Sequence, residues 1–235
     1  MIYDGFDFGG LLRVEKIERP LIAPVDADYD DHPGMDGAVL GGVRLEPLTI
    51  KVTVCVLRPP GGRGTEWFEK ARRELSLRLF RKEPRKLVLH DAPDVYNMAL
   101  LSDGTDVEDL VTAGRCELSF LCPDPVAYGK EERRGAPAGA TLTLPVGGSY
   151  KTAPIVEVET DGSAETVTID GSPMRALGTL SGDQPLVFDC EGHEVRKGAA
   201  SVKLNIMDDF AEWEPGEHTV SCAKPFSVSW RERWL

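Results

Sequence analysis

The chain has 235 residues, with 27 Lys and Arg against 39 Asp and Glu, a formal charge of −12, 41% hydrophobic and 28% charged residues. This is ordinary globular material with enough apolar content for real cores, in one large domain or two small ones. An acidic chain without a basic excess is expected not to bind duplex nucleic acid, and no apolar run approaches the ~20 residues of a membrane span.

Residues 1–20 read as short strands, Phe6/Phe8 and then Leu12 to Ile17. The N-terminus shows no basic region followed by an apolar one, so no secretory signal is expected. Residues 24–42 hold many Gly, Pro and Asp and read as a long loop. From Leu48 to Val56 apolar residues alternate with Thr49, Lys51 and Thr53, the clearest strand pattern in the chain. Arg58 to Gly64 breaks it. A helix then spans 65–80, with Thr65 as its N-cap, Glu66 and Glu69 in its first turn, and Phe68, Ala71, Leu75 and Leu79 on one stripe. Further strands fall at 85–90, 97–101 and 115–122.

In Phe120-Leu-Cys-Pro-Asp-Pro-Val-Ala-Tyr-Gly129, Pro123 and Pro125 lack an N–H and end the strand in a fixed direction. The charged stretch 130–135 reads as the exit from one domain into another. Beyond it come short strands at 141–144, 155–160, 166–170, 177–180, 186–189, 193–196, 202–206, 218–222 and 226–230. Turns such as Asp161-Gly162, Asp170-Gly171 and Glu191-Gly192 separate them. This spacing predicts a β-sandwich.

The sequence carries little catalytic or ligand-binding signal. Gly61-Gly-Arg-Gly64 lacks the Lys-Ser/Thr ending of a phosphate loop. Asp26-Ala-Asp-Tyr-Asp30 opens like a calcium loop, but Asp31 and Gly37 stand where Gly and Glu are required. The 4 histidines are scattered, and no motif marks a nucleophile. The 5 cysteines, Cys55, Cys116, Cys122, Cys190 and Cys222, are odd in number and contain no Cys-x-x-Cys. Buried thiols in a reducing cytosol are expected, with no metal, no cofactor and no enzymatic activity. Trp213, Trp230 and Trp234 are candidates for a sugar platform, although packing of the last strand accounts for Trp230 and Trp234 as well.

The order of these elements, the segment 120–129 and the closing Val228-Ser-Trp-Arg-Glu-Arg-Trp-Leu235 resemble the distal tail protein family of long-tailed, siphovirus-type bacteriophages, the siphophage tail component. The resemblance covers essentially the whole chain. It implies a mainly β protein with one helix: a β-barrel-like, α+β ring-forming domain at 1–130, and a galectin-like β-sandwich at 136–235. It implies a homo-hexameric hub at the distal end of the virion tail, assembled in the host cytoplasm. Its partners would be the tail tube protein, the tape-measure protein, a tail-associated lysin or fibre hub protein, and receptor-binding proteins. No catalytic residues carry over, and His193-Glu-Val-Arg196 departs from the galectin sugar-binding strand. The alternative reading is a carbohydrate-binding adhesion module that contacts the host surface.

Within this frame Pro123, Asp124, Pro125, Tyr128 and Gly129 become the expected interdomain hinge. The acidic segments 24–37 and 103–109 and the basic segment 63–86 are opposite in sign. They suggest a subunit contact between Asp28, Asp30 and Asp31 on one copy and Arg72 and Arg73 on the next. The competing expectation is that these charges pair within the chain or face solvent.

Overall fold

A computed structural model describes residues 1–58, 66–104, 115–163, 165–178 and 184–235. The Gly61–Gly64 turn, the Thr65 cap and most of the acidic segment 103–109 lie outside the described residues. The chain divides into two compact units, Met1–Ala127 together with Leu235, and Tyr128–Trp234.

The first unit contains β1 (Ile2–Tyr3), β2 (Phe6–Asp7), a 3-10 turn (Phe8–Gly10), β3 (Leu12–Glu18), β4 (Val25–Asp31), β5 (Ala38–Leu45), β6 (Leu48–Val56), α1 (Glu66–Leu79), β7 (Arg85–Val88), β8 (Tyr96–Gly104) and β9 (Arg115–Cys122). Antiparallel pairing gives the order β2-β1-β7-β8-β9-β6-β3. The alternation read in β6 is real: Leu48, Ile50, Val52, Val54 and Val56 are all buried. Ile50 stands opposite Phe120, and Val52 opposite Leu118, so two apolar faces coincide in register. Phe68, Ala71, Leu75 and Leu79 of α1 join the same core. A buried Leu or Phe contributes about 1.5–3 kcal/mol, so this stripe holds the helix where propensity alone would not.

The second unit contains β10 (Ala127–Ala136), β11 (Thr141–Val146), β12 (Ile155–Val158), β13 (Thr166–Ile169), β14 (Ser172–Leu177), β15 (Leu186–Asp189), β16 (Glu194–Lys197), β17 (Ala200–Leu204), β18 (Gly216–Cys222) and β19 (Phe226–Trp234). One sheet runs β10-β19-β12-β15-β16-β17. The other runs β11-β18-β13-β14-β17. β17 belongs to both: Ala200 to Val202 pair with β16, and Lys203 and Leu204 with β14. Between the sheets lie Val156, Phe188, Trp213, Val220, Val228 and Trp230. This is the galectin-like sandwich that the resemblance implied, and the described residues are mainly β with one α-helix.

Three expectations are corrected. Residues 24–42 form a β-ribbon rather than a loop: β4 and β5 pair from Val25↔Leu45 to Asp31↔Ala38. The charged stretch 130–135 is strand, not a break, and lies inside the second unit. It needs no apolar alternation because its charges pair with neighbours: Glu131 with Arg231, Arg133 with Glu157, and Arg134 with Glu132. The strand placed at 177–180 runs from Ser172 to Leu177 instead, and residues 179–180 lie outside the described residues. Asp170 (φ 48°) and Gly171 (φ 81°) both occupy the left-handed region and close a two-residue hairpin, so the returning strand starts immediately after them.

Candidate functional site

Among the described residues the ribbon β4–β5 pairs with no other strand, and nearly all of its own residues are exposed. A register shift after Asp28 sets Tyr29 opposite Leu40. Because strand side chains alternate, this shift sorts the ribbon into two faces. One carries Val25, Ala27 and Tyr29 against Leu45, Val43 and Leu40. The other carries Asp26, Asp28 and Asp30, with Arg44 Nε donating to Asp26 Oδ2 at 2.8 Å. A Cβ on Gly41 would stand 3.4 Å from Asp28 Oδ2, which places Asp28 on that polar side. On the apolar face Val25 is 53% exposed, Tyr29 62%, Leu40 62% and Val43 60%. A two-stranded ribbon with an open apolar face is marginal alone in water and marks an interaction surface.

Asp28 and Asp30 therefore share the acidic face, whereas Asp31 lies at the end of the apolar one. The period-2 alternation of Val25-Asp-Ala-Asp-Tyr29 was the available signal for the residues missed here. Asp is depleted in strands, which masked it.

Arg72 and Arg73 are both exposed on α1. Arg72 pairs within the helix, Nη2 to Glu69 Oε2 at 3.1 Å. Arg73 lies on the ridge opposite the buried stripe, so the two arginines leave the helix in different directions.

Pro123 to Val126 form an irregular segment directly after β9. Val126 is buried, and its carbonyl accepts from Asn97 Nδ2 at 3.2 Å. Tyr128 and Gly129 lie in β10. The Arg233 guanidinium sits 5.2 Å from the Tyr128 ring centre. A Cβ on Gly129 would stand 3.4 Å from the Glu232 carbonyl oxygen, a close contact beside β19.

The tryptophan platform does not form. Trp213 is 0% and Trp230 4% exposed, their rings 6.1 Å apart in the sandwich core, and only Trp234 reaches solvent. His218 stacks on Trp213 at 4.9 Å. Its Nδ1 lies 2.8 Å from Asp170 Oδ2 and its Nε2 2.6 Å from the Glu214 carbonyl oxygen. Burial would raise the Asp170 carboxyl, but the Thr219 N–H and the His218 ring outweigh it and hold the group below the usual carboxylate range.

Burial pushes the thiols up, Cys116 to about 11 and Cys122 to about 12, with the charge of Asp124 adding to the second. Cys190 is pushed to about 11 for the same reason. These are protonated, inert side chains rather than nucleophiles. Among the described residues no group of three or more His, Cys, Asp and Glu is gathered to hold a metal.

A family model described as a phage tail protein RIFT-related domain matches residues 9–122, and one described as the C-terminal domain of a siphovirus-type tail component matches residues 147–234. The chain is similar to the crystal structure of SPP1 Dit (gp 19.1), described as a paradigm of the hub adsorption apparatus in phages infecting Gram-positive bacteria. The TM-score is 0.79 at 17% identity, over 100% of this chain and 98% of that one. It is also similar to a chain of the phage P2 baseplate in its activated conformation with calcium, with a TM-score of 0.52 at 10% identity over 95% of this chain and 91% of that one. At these identities the likeness establishes the fold. No curated protein sequence matches the chain.

Proposed function

The chain belongs to the siphophage distal tail protein family, a structural component of the virion tail and its baseplate hub, and from that premise we propose that it forms a homo-hexameric ring. The ring would join the tail tube and tape-measure protein above to the tail-associated lysin or fibre hub protein and the receptor-binding proteins below. Its role is scaffolding rather than catalysis, and it assembles in the host cytoplasm before joining the virion.

The observation that carries this reading is the β4–β5 ribbon. Its apolar face is left open by its own chain, and burying that face requires another molecule. A surface that mates with a different surface on the next copy generates a closed ring when the rotation closes. Negative-stain microscopy of the purified protein, alone and with its tail tube protein, tests the reading. Six-fold rings with a central hole are expected. Single chains under both conditions, at every concentration, would refute it.

The adhesion-module reading loses its proposed platform, because Trp213 and Trp230 lie in the core.

A further inference from the structure

The helix α1 carries two stripes. Phe68, Ala71, Leu75 and Leu79 face the core. Lys70, Arg73, Leu77 and Phe80 recur at i, i+3, i+7 and i+10, which places them on one ridge on the opposite side. Phe80 lies one residue past the helix, but its N–H still donates to the Ser76 carbonyl at 3.1 Å, so it continues that ridge. Leu77 is 67% and Phe80 69% exposed. Two large apolar side chains so open at helical spacing, with two cations beside them, form a second binding face. Arg81 is not part of it, since its guanidinium is committed to Asp4 and to the Leu77 and Phe80 carbonyls.

This ridge and the ribbon are complementary. The ribbon's apolar face offers Tyr29, Leu40 and Val43, with Asp31 at its end; the ridge offers Leu77 and Phe80, flanked by Lys70 and Arg73. Apolar area meets apolar area, and the Asp31 carboxylate meets the Lys70 and Arg73 cations, while Asp28 and Asp30 on the reverse face add to the ribbon's negative field. Both surfaces are exposed in the single chain, so they do not cover each other within one copy.

We infer that the outer ridge of α1 is the receiving surface for the β4–β5 ribbon of a second copy of this chain. The inference rests on the ring reading and supplies its two mating faces. The contact is heterologous, so each copy gives one ribbon and receives one. Arg73 is the arginine that takes part, and Arg72 remains with Glu69. The apolar groups supply the affinity, while the charges fix the register and speed association.

Two single variants, Leu40→Cys and Leu77→Cys, carried on chains with tags of different size, test this with a thiol-specific cross-linker. Of the natural cysteines only Cys55 is partly exposed, and the other four are buried. Each variant alone therefore sets the background. A cross-linked product joining the two tags, present only when the variants are mixed and diminished by Arg73→Glu on the Leu77→Cys chain, is expected. No mixed product above the background of either variant overturns the inference, whether or not rings form. Rings without the mixed product leave the hub reading standing and discard this pairing. The mixed product in a preparation that never closes into rings upholds the pairing and sets the hexamer aside.

Discussion

The double substitution Leu40→Thr with Val43→Thr measures what the open ribbon is for. Both residues lie on its apolar face, 62% and 60% exposed, so about three-fifths of each side chain remains to be buried by a partner. Full burial of a Leu or Val is worth about 1.5–3 kcal/mol, so the exposed fractions offer about 1–2 kcal/mol each. Threonine has the β-branched shape that strands favour but replaces apolar groups with a hydroxyl, and the pair of changes should cost about 2–3 kcal/mol per subunit contact. That corresponds to an association constant lowered about 30- to 150-fold at each contact. Because neither side chain belongs to the core, monomer stability should move by no more than about 0.5 kcal/mol. Mass photometry across a dilution series gives the ring fraction, and thermal melting gives monomer stability. Rings that persist to the same dilution as wild type would refute the argument. So would a large fall in melting temperature, since it would place these residues in the chain's own core.

Three further outcomes follow from the geometry. In the native protein, iodoacetamide or a disulfide reagent should modify Cys55 alone, with Cys116, Cys122, Cys190 and Cys222 reacting only on unfolding; mass spectrometry of the labelled chain checks this. Trp213→Ala should destabilise the second unit by about 3–5 kcal/mol through the cavity it leaves, read by denaturant unfolding with a probe in that unit. Asp170 has a folded-state pKa below its unfolded value of about 3.8, so its contribution is present above that value and lost as pH falls through the folded one. Asp170→Asn, which tolerates the positive φ, should flatten the acid limb of the stability profile below about pH 4. An unchanged acid limb would show that the carboxylate does not couple to folding.

Where one face of an element meets a core, the sequence by itself was sufficient. The alternation from Leu48 to Val56, the stripe from Phe68 to Leu79 and the paired prolines after Cys122 each state a local rule, and the structure obeys all three. The turn Asp170-Gly171 was legible too, because its backbone demand is local. The order of these pieces, with the segments 120–129 and 226–235, was enough to identify the family.

Tertiary structure decided what those patterns left open. The ribbon of β4 and β5 was hidden because neither strand has a buried face in its own chain, so the usual contrast of apolar against polar never reaches a core. The stretch 130–135 was hidden because its charges are satisfied by Arg231 and Glu157, far away in sequence, and within the stretch by the pairing of Arg134 with Glu132. Trp213 looked like surface until the second sheet closed over it. In each case a local pattern records which side of an element is apolar, but only the placement of distant segments determines whether that side is covered by the chain itself or left open.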